Sequence, residues 1–371
     1  MSRTPRRILL VLDDCGPGDA LRAAGCLRAV RGRHPDARIV LLVSEQAREA
    51  FDGSRLFDRV IVSGLYRRGL PPWRRSLHKA REGARLVAAL GVRHDLVIVL
   101  GWGTSTLDLL GRLVGRRVFG YPNRWPAVLA ARMPPYDPDG DPIQQNAALL
   151  AAAGIGDRPG AAGSLGNAPD RESAARLLSE HHVRSGADVV VLHPGSDWAC
   201  QQWSIANWAE LATRIVDRYQ CVAVWAGLED EAGYIDEIRA RMGTPSISLA
   251  GRTSLSELGG LLAIARLCVC VDSAVYELSQ EAGVATIALA GPTAARPTMA
   301  AGVRPIVLNR TPPALGLRIL ACQRQFHDGT CHDYSCPMSQ LRDLSVEHVF
   351  RAVVATGALC SRATAVAAGV R

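Results

Sequence analysis

The feature that most narrows the fold is an alternation of short apolar runs with helical patterns, and it occurs twice. In the first half, Ile8–Leu12 reads as a buried strand, Asp19–Arg31 as a helix, and Arg38–Val43 and Arg59–Val62 as further strands. Leu96–Leu100 is another apolar run, closed by the turn Gly101-Trp102-Gly103. Strands alternating with helices form βαβ units and a mostly parallel sheet, because parallel neighbours need a long crossover between them. From Gly154 to Pro169 periodicity gives way to Gly, Pro, Ala and Asp, the composition of a linker.

The same grammar then restarts. Val189–Leu192 is a strand, Ser204–Tyr219 a helix, Cys221–Trp225 and Ser246–Leu249 strands. Ser254-Leu255-Ser256-Glu257 is a capping box, and Leu258, Leu261, Leu262 and Ala265 follow it on one helical face. Leu267–Val271 is a strand that delivers Asp272 at its carboxyl end; Tyr276–Ala282 is a helix capped by Gly283. Ala285–Leu289 is the next strand, ahead of Gly291-Pro292-Thr293. Open parallel sheets bind ligands beyond the carboxyl ends of their strands. Asp19, Ser196, Glu229, Asp272 and Thr293 all fall at such places. The expected architecture is α/β, with two Rossmann-like domains facing a cleft.

The chain has 371 residues, enough for two domains with separate cores. Its formal net charge of +8 is carried almost wholly by arginine, Lys79 being the only lysine. That excess favours an anionic ligand or a membrane surface. The positive charge is spread along the chain, with only the short local clusters Arg67-Arg68, Arg74-Arg75 and Arg116-Arg117, and no nucleic acid is expected as a partner. No signal peptide is visible after Met1, and no apolar run reaches the ~20 residues a bilayer span requires. The expected location is the cytoplasm, with at most peripheral contact with the inner face of the plasma membrane. The ten cysteines are then expected as reduced thiols, Cys221, Cys268 and Cys270 serving as small core residues. No cofactor is expected. Near His327 and His332, Cys322, Cys331 and Cys336 lack a CxxC pair, so a structural metal there is the alternative to free thiols.

The stretch "VLHPGSDWACQQWSIANWAELA" breaks a strand with His193-Pro194-Gly195-Ser196 and starts a helix at Ser204. Amide groups of a Gly-containing turn near a helix N-terminus form an anion site, and an ordinary strand-to-helix connection is the alternative. Asp19 and Asp272 are each placed either as ligand-facing carboxylates or as helix caps. Glu229 is either a ligand contact or a solvated loop carboxylate beside Asp230 and Glu231. Asp13 and Asp14 are rivals to Asp19, and Arg67, Arg68, Arg74 and Arg75 either meet an anionic acceptor or form a solvated basic face.

Taken together, "HPGSDWACQQWSIANWAELATRI", "AGLEDE", "LAGRTSLSELGGLLAIARLCVCVDSAVYEL" and "GVATIALAGPT" resemble the C-terminal domain of glycosyltransferase family 9. These are the heptosyltransferases of lipopolysaccharide assembly and their relatives. The N-terminal "GPGDALRAAGCLRAVRGRHPDARIVLLV" resembles the opening of the same family, so the likeness runs over residues 6–355. It implies a GT-B fold and transfer of a sugar, usually heptose, from an ADP-activated donor with inversion and without a catalytic metal. It implies an acceptor-binding domain over residues 1–160, a donor-binding domain over 175–350 and a tail over 351–371. The acceptor would be a glycan, protein or small natural product.

By the same resemblance, Asp19 is the base that deprotonates the acceptor hydroxyl. Ser196, Gln201 and Gln202 stand at the phosphate turn, and Glu229 holds the ribose. Asp272, Ser273 and Ala274 occupy the place of the family's Asp-Thr-Gly. Two departures stand out. Gln201-Gln202 precede Trp203 where the family commonly has Lys or Arg, so Arg252 or Arg296 would have to share the phosphate grip. Glu277 stands where the family usually has His. These leave open ADP-heptose held differently, another nucleotide sugar, an epimerase-like enzyme, or a catalytically silent sugar-binding member.

Overall fold

The computed structural model describes residues 4–13, 15–65, 71–91, 93–100, 105–121, 142–156, 169–196, 201–290, 305–308 and 340–360. The chain divides into two compact units, Met1–Asn167 and Ala168–Arg371.

In the first unit a parallel sheet is ordered β3-β2-β1-β4-β5. Its strands are β1 (Arg7–Leu12), β2 (Arg38–Ser44), β3 (Arg59–Ser63), β4 (Leu96–Val99) and β5 (Val118–Phe119). The crossovers carry α1 (Pro17–Arg33), α2 (Pro72–Leu90) and α3 (Ser105–Val114), and α4 (Pro142–Ala152) packs on α1. One sheet face supplies Leu9, Val11, Val40, Leu42 and Ile61 to an apolar layer closed by Leu86 and Leu90 of α2 and Leu107 and Leu110 of α3. The central strands β1, β2 and β4 are buried on both faces, which is why they read as continuous apolar runs and not as alternating patterns.

The second unit repeats the plan with six parallel strands ordered β11-β10-β9-β6-β7-β8. They are β6 (Val189–His193), β7 (Val222–Trp225), β8 (Ile247–Ser248), β9 (Leu267–Val271), β10 (Ala285–Leu289) and β11 (Ile306–Leu308). Its helices are α5 (Arg171–Glu180), α6 (Ile205–Tyr219), α7 (Ala232–Arg241), α8 (Leu255–Ile264), α9 (Ala274–Ala282) and α10 (Val346–Thr356). Trp203, Trp208 and Trp225 stack edge to face, at 5.4 and 6.0 Å between centroids, in the core under α6. Trp203 Nε1 donates to the Leu344 carbonyl at 2.9 Å, tying the start of α6 to the C-terminal segment. Helix α10 runs through residue 350, and its Val349 and Val353 belong to the same core.

In both sheets the strand order reverses beside the first strand of the unit, between β1 and β4 and between β6 and β9. Such switch points open the crevice where doubly wound folds take their ligands.

Two tests follow from the packing. Helix α8 crosses the start of α5 so closely that a Cβ on Gly260 would lie 2.1 Å from the Asp170 carbonyl oxygen, whereas one on Gly259 would meet Pro169 at an ordinary 3.7 Å. Gly260→Ala should therefore destabilise the fold by about 1–3 kcal/mol, while Gly259→Ala should be neutral or stabilising by about 0.4–1 kcal/mol. Urea midpoints of the two variants check this; equal midpoints would contradict the close approach.

His34 and His94 are buried in the first unit, and burial above all holds both imidazoles below their ordinary pKa, with Arg33 adding to it at His34. The unfolded chain then binds these protons more readily than the native state. Stability should be full above the ordinary histidine range and fall as pH drops through it, read as a lower urea midpoint at about pH 5.5 than at about pH 7.5.

Candidate functional site

Strand β6 ends at His193, and the chain turns at Pro194-Gly195-Ser196. The adjacent β9 ends one pairing further on, because His193 is in register with Cys270. Ser196 and the Asp272-Ser273 pair thus leave neighbouring strands at the same end of the sheet, on either side of the switch point.

The turn after β6 is tied to the segment before α6 by two side chains. Ser196 Oγ donates to Gln201 Oε1 at 2.6 Å, and Gln202 Nε2 donates to the Ser196 carbonyl at 2.9 Å. Gln201 is only 7% exposed. The two glutamines therefore brace the turn from behind, each fixing one polar group of Ser196. Ser204 then caps α6 by accepting from the Asn207 amide at 3.1 Å.

Gly195 lets Glu231 approach the turn: a Cβ there would come within 1.8 Å of the Glu231 carboxylate, which also accepts the Leu228 amide at 2.8 Å and would have to move aside. In the sequence Glu231 is a neighbour of Glu229 in an acidic loop; in the fold it packs against the Gly195 turn. His193 was not singled out either, yet it is buried and its Nδ1 is bonded to the Ala226 carbonyl at 2.9 Å, joining the ends of β6 and β7. The available signal was the pair of glycines, Gly195 and Gly227, since a Cβ on Gly227 would also meet Glu231, at 2.8 Å.

At the other side of the switch point, Ser273 is the N-cap of α9 but makes no side-chain capping bond. Its Oγ is buried without a hydrogen-bond partner among the described residues. The first amides of α9 therefore lack a hydroxyl cap at the end of a strand, next to an unspent hydroxyl. Groups of this kind are rarely left unpaired and are suited to an anion. Ala274 opens the helix, and Glu277 is 4% exposed in its first turn. Behind it, Cys268 and Cys270 are fully buried. The Cys268 thiol and burial push Cys270 far above the ordinary thiol pKa, and the Asp272 and Glu277 carboxylates push the same way, so it stays protonated.

Glu229 opens a short exposed 3₁₀ turn, Glu229–Glu231, after β7. Arg252 is turned to α5, with Nη1 3.1 Å from His181 Nε2 and Nη2 3.9 Å from Glu180. In the first unit, Asp19 is exposed in the opening turn of α1, following β1; its Oδ1 accepts from Arg22 at 3.0 Å and its Oδ2 from the Gly16 amide at 3.3 Å. Each oxygen keeps a lone pair for a further donor. Asp13 is 4% exposed and accepts from Ser63 Oγ at 2.6 Å, stitching the ends of β1 and β3. Arg74 and Arg75 lie in the first turns of α2. Asp14, Arg67, Arg68, Thr293, Arg296, Cys322, His327, Cys331, His332 and Cys336 lie outside the described residues. Among the described residues no group of three or more His, Cys, Asp or Glu side chains is arranged to hold a metal ion.

Two doubly wound parallel sheets, each with residues of candidate chemistry at its switch point, are the architecture of the α/β GT-B fold. A solved glycosyl transferase family 9 protein from Veillonella parvula matches with a TM-score of 0.70 at 17% identity, covering 95% of this chain and 97% of that one. The E. coli ADP-heptose lipopolysaccharide heptosyltransferase II matches with a TM-score of 0.66 at 17% identity, covering 94% and 98%. The family's sequence profile, glycosyltransferase family 9 (heptosyltransferase), matches residues 127–319, and this chain belongs to that family. Lipopolysaccharide heptosyltransferase 1 of Pseudomonas aeruginosa is 34% identical over 111 residues, a match spanning 29% of this chain and 30% of that relative's length.

The Gln201 brace is testable without any ligand. Gln201→Ala removes a buried acceptor from the Ser196 hydroxyl and should lower stability by about 1–3 kcal/mol. A urea midpoint equal to that of the parent chain would show that the turn is held by other means.

Proposed function

We propose that this chain transfers a heptose from ADP-heptose to a sugar hydroxyl of a lipopolysaccharide-type acceptor, inverting the anomeric carbon, at the cytoplasmic face of the membrane. The observation that carries the donor half of this reading is the pairing across the β6–β9 switch point. A braced Gly195-Ser196 turn there stands beside an α9 N-terminus whose N-cap hydroxyl is unspent. Those groups suit a diphosphate. The names of the relatives support the rest of the reading: one solved relative is an ADP-heptose heptosyltransferase and the curated one a lipopolysaccharide heptosyltransferase.

In this mechanism the backbone amides of the Gly195-Ser196 turn, which Gln201 and Gln202 brace, hold the diphosphate together with the Ser273 hydroxyl and the Ala274 amide. Glu229 and Asp272 meet hydroxyls of the nucleotide and sugar, and the buried Glu277 orders the α9 turn beneath them. Negative charge that develops on the departing ADP is met by backbone amides and hydroxyls already fixed in place, which costs no reorganisation during the reaction. As the anomeric carbon becomes electron-poor, Asp19 takes the proton of the incoming hydroxyl. The residues 1–160 take the acceptor and 175–350 the donor.

Asp19→Asn should lower the transfer rate by about 10²–10⁴ and leave ADP-heptose binding, measured by calorimetry, unchanged. ADP release with a lipopolysaccharide-core acceptor reads the first quantity. Retained turnover with lost donor binding would overturn the role of Asp19. A thermal-shift panel of ADP-, GDP-, UDP- and dTDP-sugars in which ADP-heptose is not the strongest stabiliser would overturn the donor.

A further inference from the structure

The end of the first unit's sheet opposite Asp13 and Asp19 carries a second concentration of charge. Arg7 opens β1, Arg38 opens β2 and Arg59 opens β3. Parallel pairing puts Arg7 opposite Arg38, and Arg59 opposite Val40, two residues on from Arg38. Side chains two apart in a strand share a face. The three arginines therefore stand on the face that carries Leu9, Val40 and Ile61, just outside the apolar layer those residues build with Leu86 and Leu90.

A cavity of about 160 Å³ lies there, lined by Arg7, Arg38, Arg59 and His94 with Val40, Ile61 and Leu90 and the last turn of α2. Arg59 Nη1 donates to the Ala89 carbonyl at 2.9 Å, the favourable position for a cation at a helix C-terminus. The guanidinium groups of Arg7 and Arg38 make no hydrogen bond or ion pair among the described residues. His94 is 3% exposed, and its Nδ1 has no hydrogen-bond partner among the described residues. Two carboxylates attract these groups from outside the cavity, Asp95 acting on Arg7 and Asp58 on Arg38, but their hydrogen bonds go to other partners. Asp95 accepts the Arg6 and Arg7 amides at 2.9 and 3.1 Å, and Asp58 accepts the Ile39 amide and Arg31 at 2.8 and 2.9 Å. Neither lines the cavity.

Three like charges converge on one concavity with a buried imidazole nitrogen unspent, and no carboxylate lines that concavity. We propose that this cavity binds a phosphate-bearing anion, inorganic phosphate or a phosphomonoester, through the forked guanidinium groups of Arg7 and Arg38 with Arg59 and His94. Guanidinium forks match the oxygens of a tetrahedral oxoanion in pairs. The apolar floor of Val40, Ile61 and Leu90 gives room for the carbon skeleton of an ester. The site is separated from the carboxyl end of the sheet by the length of β1, about 16 Å for six residues. It is thus distinct from any position the reacting sugar could take at Asp19.

The experiment is a calorimetric titration of the full chain with inorganic phosphate, ionic strength being held constant with chloride. It is repeated with saturating ADP and with the Arg7→Gln/Arg38→Gln double variant. Both side chains are exposed, so the variant should melt with the parent chain in chloride alone. Saturable phosphate binding is expected, unaffected by ADP and weakened about tenfold or more in the variant. Co-sedimentation with phosphatidylglycerol vesicles is run beside it. Binding to vesicles that the variant loses assigns the phosphate to a lipid headgroup, and phosphate binding without co-sedimentation assigns it to a soluble anion. No saturable binding of either probe, binding that survives in the variant, or phosphate binding that ADP abolishes would overturn the proposal.

Discussion

The parallel pairing of β6 with β9 is the constraint on which the candidate donor site rests. Val190 pairs with Leu267 and His193 with Cys270, without a bulge between them. A slip of one residue would turn every side chain of β9 to the other face and carry the Cys268 and Cys270 thiols together into the opposite layer. Because the register holds, the turn after one strand and the helix start after the other arrive side by side. Neither has the groups to enclose a diphosphate by itself. The Trp203–Trp208–Trp225 stack and the bond from Trp203 to Leu344 then fix the far end of the loop that leads into α6.

The chemistry of that site is organised by neutral hydrogen bonds where a cation is common in the family. Gln201 and Gln202 bring no charge, but they fix the Ser196 hydroxyl and carbonyl, so that the turn is already ordered when a ligand arrives. A Lys at either place would contribute attraction and lose the brace. Glu277, which in an exposed position would repel a diphosphate, is buried in the first turn of α9. A carboxylate there sits near the favourable pole of the helix. The departures from the family pattern are thus compatible with an anion at the switch point, because their effect is on positioning more than on net charge.

How much of this could be read from the chain depends on the range of each interaction. The central strands of both sheets are legible to within a residue or two, since a strand buried on both faces announces itself as an apolar run, and Ser204 and Ser254 mark their helices by local capping chemistry. The short edge strands β5 and β11, only partly buried, carry no such run and are not read. Ser196, Glu229, Asp272 and Asp19 could be placed at strand ends for the same reason. What could not be read was contact between segments. Glu231 reaches Gly195 across 36 positions, and His193 reaches Ala226 across 33. In the sequence the one looks like a loop carboxylate and the other like a strand end. Ser63 beneath Asp13 is likewise invisible until β1 and β3 are both in the sheet.

The arginines at the opposite end of the first sheet show the same limit. Arg7, Arg38 and Arg59 are separated by whole βα units and look like scattered surface charge, until the register gathers them. The gathering is inexpensive while the cavity is open to water. Two unit charges roughly 6 Å apart repel by only about 0.7 kcal/mol at the dielectric of water. A bound oxoanion leaves those repulsions in place but adds an attraction to each guanidinium group. The added attractions act over hydrogen-bond distances, shorter than the spacing between the arginines, and so outweigh the repulsion. The fold therefore tolerates the cluster at little cost in the free state and gains from it when an anion is present. Scattered arginines at the ends of unrelated loops would offer the first without the second.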